Sequence, residues 1–384
     1  MATNRSKRQK RKTDFYDYSL VAVIILLTCF GLMMLYSTSA YTSEIKFGDD
    51  MYYFRKQAII SAVSVLCAII ISKLDYHILK HFTTLLYVAA AGSMLMVKTP
   101  LGVEVNGAKR WLKIGPLQFQ PSEIAKIAVI VCLSYMIIQM GKNIRTWKGL
   151  AVLGAAGFFQ GFLAYWATEN LSTGLIICGI TAGLIFIAHP KTAPFLAAAG
   201  VLAAVVAVGI GALAATTQNS SSFRIRRILV WLHPEDFSDT SAYQIMQALY
   251  AIGSGGFFGK GLGNSAQKLG AVPEAQNDMI FSIICEELGI FGGAIILILF
   301  AYLLYRLFFI AQNAPDLIGS LMVSGIFIHI ALQVILNICV VINLIPTTGI
   351  TLPFVSYGGT SILFLMSEMG LALSVARQIR FQEE

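Results

Sequence analysis

Residues 279–305 read MIFSIICEELGIFGGAIILILFAYLLY, an apolar run that begins directly after Asp278 and contains two adjacent carboxylates. A helix of about 20 apolar residues spans the hydrocarbon core of a bilayer, so the run predicts a membrane span. Charges inside a span are costly and face a cavity or a partner. Because Glu286 and Glu287 are neighbours, they cannot both face one side of a helix, and we expect one of them to be structural.

Similar apolar runs recur along the whole chain. Hydrophobic residues make up 57% of the sequence and charged residues only 12%, whereas soluble domains average about 25% charged residues. This composition excludes a soluble protein and predicts an all-α, polytopic membrane protein with about ten transmembrane helices. The predicted spans lie near residues 18–41, 57–72, 82–97, 121–140, 150–168, 172–188, 192–214, 279–305, 318–343 and 362–377.

The placement of the cations predicts the orientation. Six of them lie between Arg5 and Lys12, and such clusters stay in the cytoplasm. Ten spans then return the C-terminus to the cytoplasm, with the largest extracytoplasmic loop between spans 7 and 8. The predicted parts are a basic cytoplasmic tail (1–17), a single transmembrane domain (18–380) with outer loops at 98–120, 215–277 and 344–361, and a second cytoplasmic tail (381–384).

Cations in the outer loops oppose this orientation signal. They are Lys98, Lys109, Arg110 and Lys113 in the first loop, and Arg224, Arg226, Arg227, Lys260 and Lys268 in the second. One interpretation is contact with lipid headgroups by amphipathic loop helices; the other is recognition of an anionic lipid substrate such as a pyrophosphate. In the second loop, apolar residues at helical spacing over 225–232 predict an interfacial helix, and residues 241–252 predict another.

Asp278 ends the polar stretch Pro273-Glu-Ala-Gln-Asn-Asp278. Its position fits either a helix cap or a general base at the outer membrane edge, and position alone leaves both open. The glycine-rich run 253–263 lacks the spacing of a P-loop, which argues against nucleotide binding. The last outer loop, PTTGITLPFVSYGGTS at 346–361, suits a re-entrant segment in a transporter as well as in an enzyme.

Five further charged or titratable residues have simpler interpretations. Glu123 and Lys126 stand three residues apart and are expected to pair on the fourth span. His329 is expected to be a hydrogen-bonded interior residue, because no second histidine stands at metal-ligand spacing. Glu169 and Glu368 look like isolated carboxylates near span ends.

Three motifs together resemble the SEDS family (shape, elongation, division, sporulation). They are Asn106-Gly-Ala-Lys-Arg-Trp-Leu with Gln118-Phe-Gln-Pro-Ser-Glu-Ile-Ala-Lys126; Gly253-Ser-Gly-Gly with Gly259-Lys-Gly-Leu-Gly-Asn-Ser, Pro273-Glu-Ala, Asp278 and Glu286-Glu-Leu-Gly; and Pro346-Thr-Thr-Gly with Leu352-Pro-Phe-Val-Ser-Tyr-Gly-Gly. The resemblance runs from about Tyr18 to Arg380. Within the family, residues 263–269 are more similar to the FtsW and SpoVE branches than to RodA.

The resemblance implies an inverting peptidoglycan glycosyltransferase that polymerises lipid II at the outer face of the bacterial cytoplasmic membrane, in division or sporulation, with the division septum as its expected location. It implies a class B penicillin-binding protein and other divisome proteins as partners, a divalent ion (Mg²⁺ or Mn²⁺) as a possible cofactor, and no nucleotide or nucleic acid. Asp278 takes the place of the family's essential carboxylate. The expected substrate-binding residues are Lys109, Arg110, Trp111, Gln120, Ser122, Glu123, Lys126, Lys268, Glu274, Ser356, Tyr357, Gly358 and Gly359.

The sequence departs from the family pattern at two places. Gln276-Asn277 replaces the usual His-Thr before the aspartate, and Glu169 to Thr173 matches the usual acidic loop only loosely. Two other functions stay open at this stage: a lipid II flippase or transporter, and a scaffold for a partner penicillin-binding protein. A flippase needs polar groups through the inner halves of the spans, where few charged residues occur.

Overall fold

The computed structural model describes residues 16–105, 108–115, 117–216, 223–234, 242–270 and 272–380. The predicted tails, apart from residues 16–17, lie outside the described residues. Within the described residues the chain forms α1 (Tyr18–Phe47), α2 (Tyr52–Lys73), α3 (Leu79–Met96), α4 (Pro121–Met140), α5 (Trp147–Trp166), α6 (Leu171–Ala188), α7 (Ala193–Thr216), α8 (Phe223–Leu232), α9 (Tyr243–Gly255), α10 (Ile280–Asn313), α11 (Leu317–Val341) and α12 (Ser361–Arg377).

Polar side chains set the ends of several helices. Asp17 accepts a hydrogen bond from the backbone N–H of Leu20 and caps α1. Asn170 caps α6 and Asp316 caps α11 in the same way. Such caps satisfy N–H groups that have no partner within the helix. Each of these helices therefore begins where the sequence supplies a polar cap.

Nine helices within the described ranges are long and apolar enough to cross a membrane, namely α1 to α7, α10 and α11. α12 has 17 residues, which rise about 25 Å at 1.5 Å per residue, and it packs against α2 and α11. This confirms the prediction of a polytopic helical protein with about ten spans. Which end of the helical bundle faces the cytoplasm and which faces the outside stays a prediction.

The first predicted outer loop contains a small sheet that the sequence analysis did not anticipate. Its strands β1 (Gly102–Val105), β2 (Ala108–Ile114) and β3 (Leu117–Phe119) are antiparallel in the order β1-β2-β3. Valine, tryptophan and isoleucine favour strands over helices in so short a segment. The interpretation of this loop as an amphipathic helix is therefore wrong, whereas α8 and α9 confirm the two helices predicted in the second loop.

The buried core lies around α4, α6 and α11, which pack against one another. α7 is the opposite case, because no residue between Ala193 and Ala212 is buried. Its apolar surface, like the other exposed helix faces, would contact lipid in a bilayer. The polar segments converge instead at one end of the bundle, here called the loop-rich end, which carries the sheet, α8, α9 and residues 342–360.

α10 breaks at Gly289, whose φ of 71° and ψ of −174° are not helical. A break leaves backbone carbonyls before it and N–H groups after it without helical partners. The glycine-rich turn that follows α9 satisfies both sets. The bonds run from Lys260 N to Glu286 O, Gly261 N to Glu287 O, Ile290 N to Gly256 O and Phe291 N to Phe257 O, at 2.9, 2.9, 3.0 and 3.1 Å.

The break also changes how deep Glu286 and Glu287 lie. Residues 290–313 rise about 36 Å as a helix, which exceeds the roughly 30 Å hydrocarbon core. The segment 280–288 is therefore not needed to span the bilayer. Both carboxylates can lie at the loop-rich edge, where the turn after α9 reaches them.

Gly289→Ala should disrupt the junction between the turn and α10. A Cβ at this residue would lie 2.2 Å from the Phe257 carbonyl oxygen, at a positive φ that disfavours any side chain. We expect a loss of about 2 kcal/mol or more in unfolding free energy, measured as a lower thermal midpoint of the purified protein. Gly200→Ala is the control, since nothing lies within 4 Å of its Cβ position; equal midpoints for the two variants would contradict the prediction.

Candidate active site at the loop-rich end

The three motif segments meet at the loop-rich end. The backbone N–H of Tyr357 donates to the carbonyl of Gln276 at 2.9 Å. Thr360 Oγ1 donates to the carbonyl of Gln118 at 3.1 Å. Residues 81 and 242 positions apart in the chain are thereby brought together at this end of the bundle.

Asp278 lies in this turn but does not cap α10. The residue at the N-cap of α10 is Met279, and no side chain caps that helix. The Asn337 amide from α11 donates to the Asp278 carbonyl at 2.8 Å and to the Ile350 carbonyl at 2.7 Å, which holds the turn in place. The interpretation of Asp278 as a helix cap is therefore wrong, and its carboxylate is available for another role.

The surroundings of Asp278 raise its pKa to about 6. Burial of the carboxylate is the main cause, and the nearby Glu274 adds to it, while Arg227 acts in the opposite direction. Gln244 Nε2 from α9 approaches Oδ1 at 3.5 Å. A carboxylate with a pKa near the working pH is suited to accept a proton, so the geometry favours the general-base interpretation.

Arg227 on α8 lies near this carboxylate, and Arg110 on β2 lies near Arg227. Arg110 Nη2 donates to the carbonyl of Glu169 at 3.5 Å, and Arg227 Nη1 donates to the carbonyl of Thr347 at 3.2 Å. Burial lowers the pKa of both guanidinium groups. Glu169, which the sequence suggested was isolated, also pairs with Lys98 at 3.2 Å.

The first turns of α4 hold the residues that follow the sheet. Gln120 Nε2 donates to the Ser122 hydroxyl at 3.0 Å. Glu123 and Lys126 form the expected ion pair at 2.9 Å, and both side chains are almost completely buried. This pair lies below the sheet and stabilises the start of α4 without reaching solvent.

Residues 356–359 shape the loop more than they expose functional groups. The Ser356 hydroxyl accepts a bond from the backbone N–H of Leu352 at 2.8 Å, and the ring of Tyr357 packs at 5.0 Å on Tyr53. Gly359 has a φ of 51°, which suits glycine. Gly358 adjoins the start of α12. The loop thus borders the turn of Asp278 through its backbone.

The structure leaves two predicted residues at a distance from these contacts. Lys109 is exposed on β2, where it lies opposite Glu104, and Trp111 lies opposite Val103. Glu274 is closer: it has a φ of 54° and accepts a hydrogen bond from Asn277. Asn277 thus positions Glu274, while Gln276 offers its carbonyl to Tyr357.

Comparisons with known proteins decide the family. The family model described as "Cell cycle protein", which joins FtsW, RodA and SpoVE, matches residues 17–381. The chain belongs to this family. It is similar to stage V sporulation protein E of Bacillus subtilis, with 38% identity over 366 residues, 95% of this chain and 98% of that protein. It is also similar to a probable peptidoglycan glycosyltransferase FtsW of Trichlorobacter lovleyi, with 34% identity over 95% of this chain and 94% of that protein.

Solved structures agree with this placement in the FtsW/RodA/SpoVE family. One comes from a study of the structural coordination of polymerization and crosslinking by a peptidoglycan synthase complex; it has a TM-score of 0.78, 26% identity, and covers 94% of this chain and 98% of the other. The rod shape determining protein RodA of Thermus thermophilus has a TM-score of 0.66, 25% identity, and covers 96% and 98%. The higher identity to the sporulation and division relatives agrees with the predicted branch.

The environment of Lys268 in this protein differs from the predicted one. Its ammonium group bonds to Glu287 at 2.8 Å and to the Ser37 hydroxyl at 2.9 Å, and it is almost completely buried. This ion pair with a fully buried carboxylate argues against the expected role of Lys268 in substrate binding, which stays a prediction. The neighbouring Glu286 pairs with Lys260 at 2.7 Å.

Both carboxylates of α10 are therefore structural, rather than one of the two. Each reaches a different lysine of the segment 254–268, because neighbouring residues point to different sides of the helix. Glu368 is likewise not isolated: it contacts His329 at 2.8 Å between α12 and α11. This confirms the expectation that His329 is a hydrogen-bonded interior residue.

Sequence reasoning did not select Arg227, Gln244 or Asn337 as site residues. Arg227 looked like one cation of an interfacial helix, and Asn337 lies inside an apolar run. A polar side chain within a span was the only available signal for Asn337. The contacts of the other two depend on how α8 and α9 fold back over Asp278, which no local pattern specifies.

The side chains present do not form a metal centre by themselves. Among the described residues no group of three or more His, Cys, Asp or Glu side chains could hold an ion. Mg²⁺ is often held by only one or two carboxylates together with substrate phosphates. A divalent ion would therefore depend on donors from a bound substrate.

Lys268→Met should destabilise the FtsW/RodA/SpoVE fold in this protein. The change leaves Glu287 as an unpaired buried charge, which costs about 3–5 kcal/mol. The measurement is the thermal midpoint of the purified protein in detergent. Lys113→Met, at an exposed position of β2, is the matched control and should change stability by less than about 0.5 kcal/mol. An unchanged midpoint for Lys268→Met would remove the structural role.

Proposed function

We propose that this protein is a membrane-bound peptidoglycan glycosyltransferase that polymerises lipid II, with Asp278 as its general base. The observation that carries the mechanism is the half-buried Asp278 carboxylate, with a pKa near 6 and the guanidinium group of Arg227 near it. The names of the relatives support the reaction class. The membrane location follows from the fold.

The proposed reaction joins two lipid-linked sugars by inversion. Asp278 accepts the proton of the GlcNAc 4-hydroxyl of one substrate, and that oxygen forms a bond to the MurNAc anomeric carbon of the other. The bond between this carbon and the diphosphate oxygen breaks, and undecaprenyl pyrophosphate leaves as an anion. General-base catalysis of this kind contributes roughly 10²–10⁴-fold to a rate, and cations stabilise the leaving charge.

The remaining site residues support this proposal to different degrees. Arg110 is well placed to meet the leaving anion, and Glu274 raises the pKa of the base. Gln120, Ser122, Glu123, Lys126, Ser356, Tyr357, Gly358 and Gly359 shape the surrounding walls. Lys109 and Trp111 lie on the sheet and would contact the substrate at a greater distance from Asp278. Mg²⁺ or Mn²⁺, arriving with the diphosphate, is the proposed cofactor.

The proposal also includes partner proteins and a location in the cell. A class B penicillin-binding protein would crosslink the strands that this chain polymerises, and other divisome proteins would recruit both to the septum of the cytoplasmic membrane. The similarity to a structure from a peptidoglycan synthase complex supports such a partner. Sporulation is the alternative setting, supported by the similarity to stage V sporulation protein E.

Asp278→Asn should abolish polymerisation, because an amide cannot accept the proton. We expect a rate loss of about 100-fold or more, measured as the glycan length made from labelled lipid II. Lipid II is supplied only to the outer leaflet of proteoliposomes, so that no translocation is needed. Glu104→Gln, an exposed carboxylate on β1, is the control and should retain activity.

The other outcomes of this experiment are informative. Long strands made by Asp278→Asn would exclude the general-base role. A wild-type protein that is inactive alone, and active only with the penicillin-binding protein, would need activation by its partner. If activity in the mixture survives Asp278→Asn, the chain is a scaffold and the partner is the polymerase. Activity only with lipid II on the inner side would favour a flippase.

The rate should depend on pH through Asp278. Its pKa is raised to about 6, and the base works only when it is ionised. The value of kcat/KM for the wild type should therefore be constant above pH 7 and fall about tenfold per unit below pH 6. An acid limb near pH 4, the usual range of an exposed aspartate, would show that burial does not control this carboxylate.

A further inference from the structure

Four aromatic rings from two distant segments form a continuous surface at the loop-rich end. Phe47 ends α1, Tyr52 and Tyr53 begin α2, and Tyr357 lies in the last loop. The ring centroids of Phe47 and Tyr52 are 4.0 Å apart, those of Tyr52 and Tyr53 5.5 Å, and those of Tyr53 and Tyr357 5.0 Å. Phe47 also meets Tyr53 edge-on at 5.7 Å. These four residues are here called the aromatic row.

The inner end of the row contacts the candidate active site. The backbone N–H of Tyr357 donates to the carbonyl of Gln276 at 2.9 Å. The Tyr53 hydroxyl lies close enough to Glu274 for the charge of that carboxylate to act on it. Gln276 and Glu274 both belong to the turn that carries Asp278. The row therefore begins where the proposed general base lies.

The outer end of the row is exposed. Phe47 is 49% exposed and Tyr52 36% exposed, whereas Tyr53 and Tyr357 are half-buried. Exposure thus increases with distance from the turn of Asp278. A ligand that extends out of the site would meet the half-buried rings first and the exposed rings next.

Contact with the membrane interface is the simpler explanation for exposed rings at this level. Tyrosine is enriched where headgroups meet the hydrocarbon core. That role requires neither contact between the rings nor a connection to the active site. The row has both, because Tyr53 and Tyr357 meet from segments near opposite ends of the chain.

The charges around the row are balanced and already have partners within the protein. Asp49 pairs with Arg55 at 2.6 Å, and Asp50 accepts a hydrogen bond from Tyr36 at 3.1 Å. Residues 44–56 contain three carboxylates and three cations: Glu44, Asp49, Asp50, Lys46, Arg55 and Lys56. Because binding surfaces complement the charge of their ligands, this balance favours a neutral polar ligand over an anionic headgroup or a diphosphate.

A sugar chain has the chemistry that this surface would recognise. Pyranose rings present apolar C–H faces, which pack on aromatic rings, and a rim of hydroxyl groups, which bind polar atoms beside them. Tyrosine supplies both a large apolar face and a hydroxyl at its edge. Burial raises the pKa of Tyr357 to about 12, so its hydroxyl stays protonated at neutral pH and can donate a hydrogen bond.

We propose that the aromatic row binds the sugar chain of the growing glycan strand as it extends from the site of glycosyl transfer. This rests on the proposed function, because that reaction lengthens a chain of N-acetylated sugars beside Asp278. Phe47, Tyr52 and Tyr53 are the residues newly assigned to the strand. The row holds the strand between one transfer and the next, so it controls how many sugars are added before release rather than the rate of a single transfer.

Binding of chitotetraose, a soluble oligomer of N-acetylglucosamine, tests the row independently of activity. The purified protein in a detergent without a sugar headgroup should bind it, as measured by saturation-transfer NMR. Phe47→Ala and Tyr52→Ala should each raise the dissociation constant by about three- to tenfold, the effect of one lost aromatic contact. Tyr250→Ala removes an exposed ring of α9 outside the row and is the matched control, which should bind as the wild type does.

Strand length provides a second readout that a loss of stability would not reproduce. With labelled lipid II, Phe47→Ala and Tyr52→Ala should make strands shorter by about threefold or more. The initial rate of the first coupling between two lipid II molecules should stay unchanged, because no strand has yet reached the row. A purely structural defect would lower that first rate as well. Tyr250→Ala should match the wild type in both measurements.

The outcomes separate this inference from the proposed function. Chitotetraose that does not bind the wild type, or that binds Phe47→Ala and Tyr52→Ala equally well, overturns the row, and so do unchanged strand lengths. In that case the rings are contacts with the membrane interface only. A wild type that binds chitotetraose through Tyr52 but never polymerises lipid II supports sugar binding and contradicts the function alone.

Two further results would also decide the question. If Tyr52→Ala lowers only the stimulation by a penicillin-binding protein, the surface belongs to a protein partner and the proposal is wrong. If the alanine variants do not fold, Phe47→Leu and Tyr52→Leu keep the apolar bulk without a flat ring. The same two readouts then apply to these variants, with the thermal midpoint as the measure of folding.

Discussion

The need to satisfy every backbone and charged group in a medium without water controls how this protein is built around its site. α10 breaks at Gly289, and the turn after α9 pairs with the backbone groups that the break releases. The same turn carries Lys260 and Lys268 to the two buried carboxylates of α10. Because bonds and charges are matched at one junction, the segment that follows α9 is held against the first turns of α10.

This junction matters for the site because Asp278 lies at the start of the same helix. Its turn is held from below by Asn337 and from the side by the backbone of Tyr357. The carboxylate itself receives a long contact from Gln244 and a hydrogen bond from the backbone of its own residue. A rigid support around a weakly bonded, partly buried carboxylate keeps its pKa high, which a proton acceptor needs.

The basic residues divide into two groups with different roles. Lys126, Lys260 and Lys268 neutralise buried carboxylates and stabilise the fold. Arg110 and Arg227 donate to carbonyl oxygens, and Arg227 also lowers the pKa of the nearby Asp278. The first group uses a compact charge against one carboxylate, whereas the second presents paired donors suited to phosphates. Sequence position does not distinguish the groups, since Lys260, Lys268 and Arg227 all come from the same predicted outer loop.

The sequence alone determined the membrane fold, its approximate spans and the family, because apolar run length and long motifs are local properties. It also marked Asp278, but it could not decide between a cap and a base, since that depends on which N–H groups the carboxylate meets. Only the tertiary structure assigned Lys268 to Glu287, formed the sheet at 102–119 and brought Arg227 beside Asp278. Side-chain orientation and strand register decide the first two pairings, and the folding of α8 over the bundle end decides the third, so run length and motif spacing do not specify them.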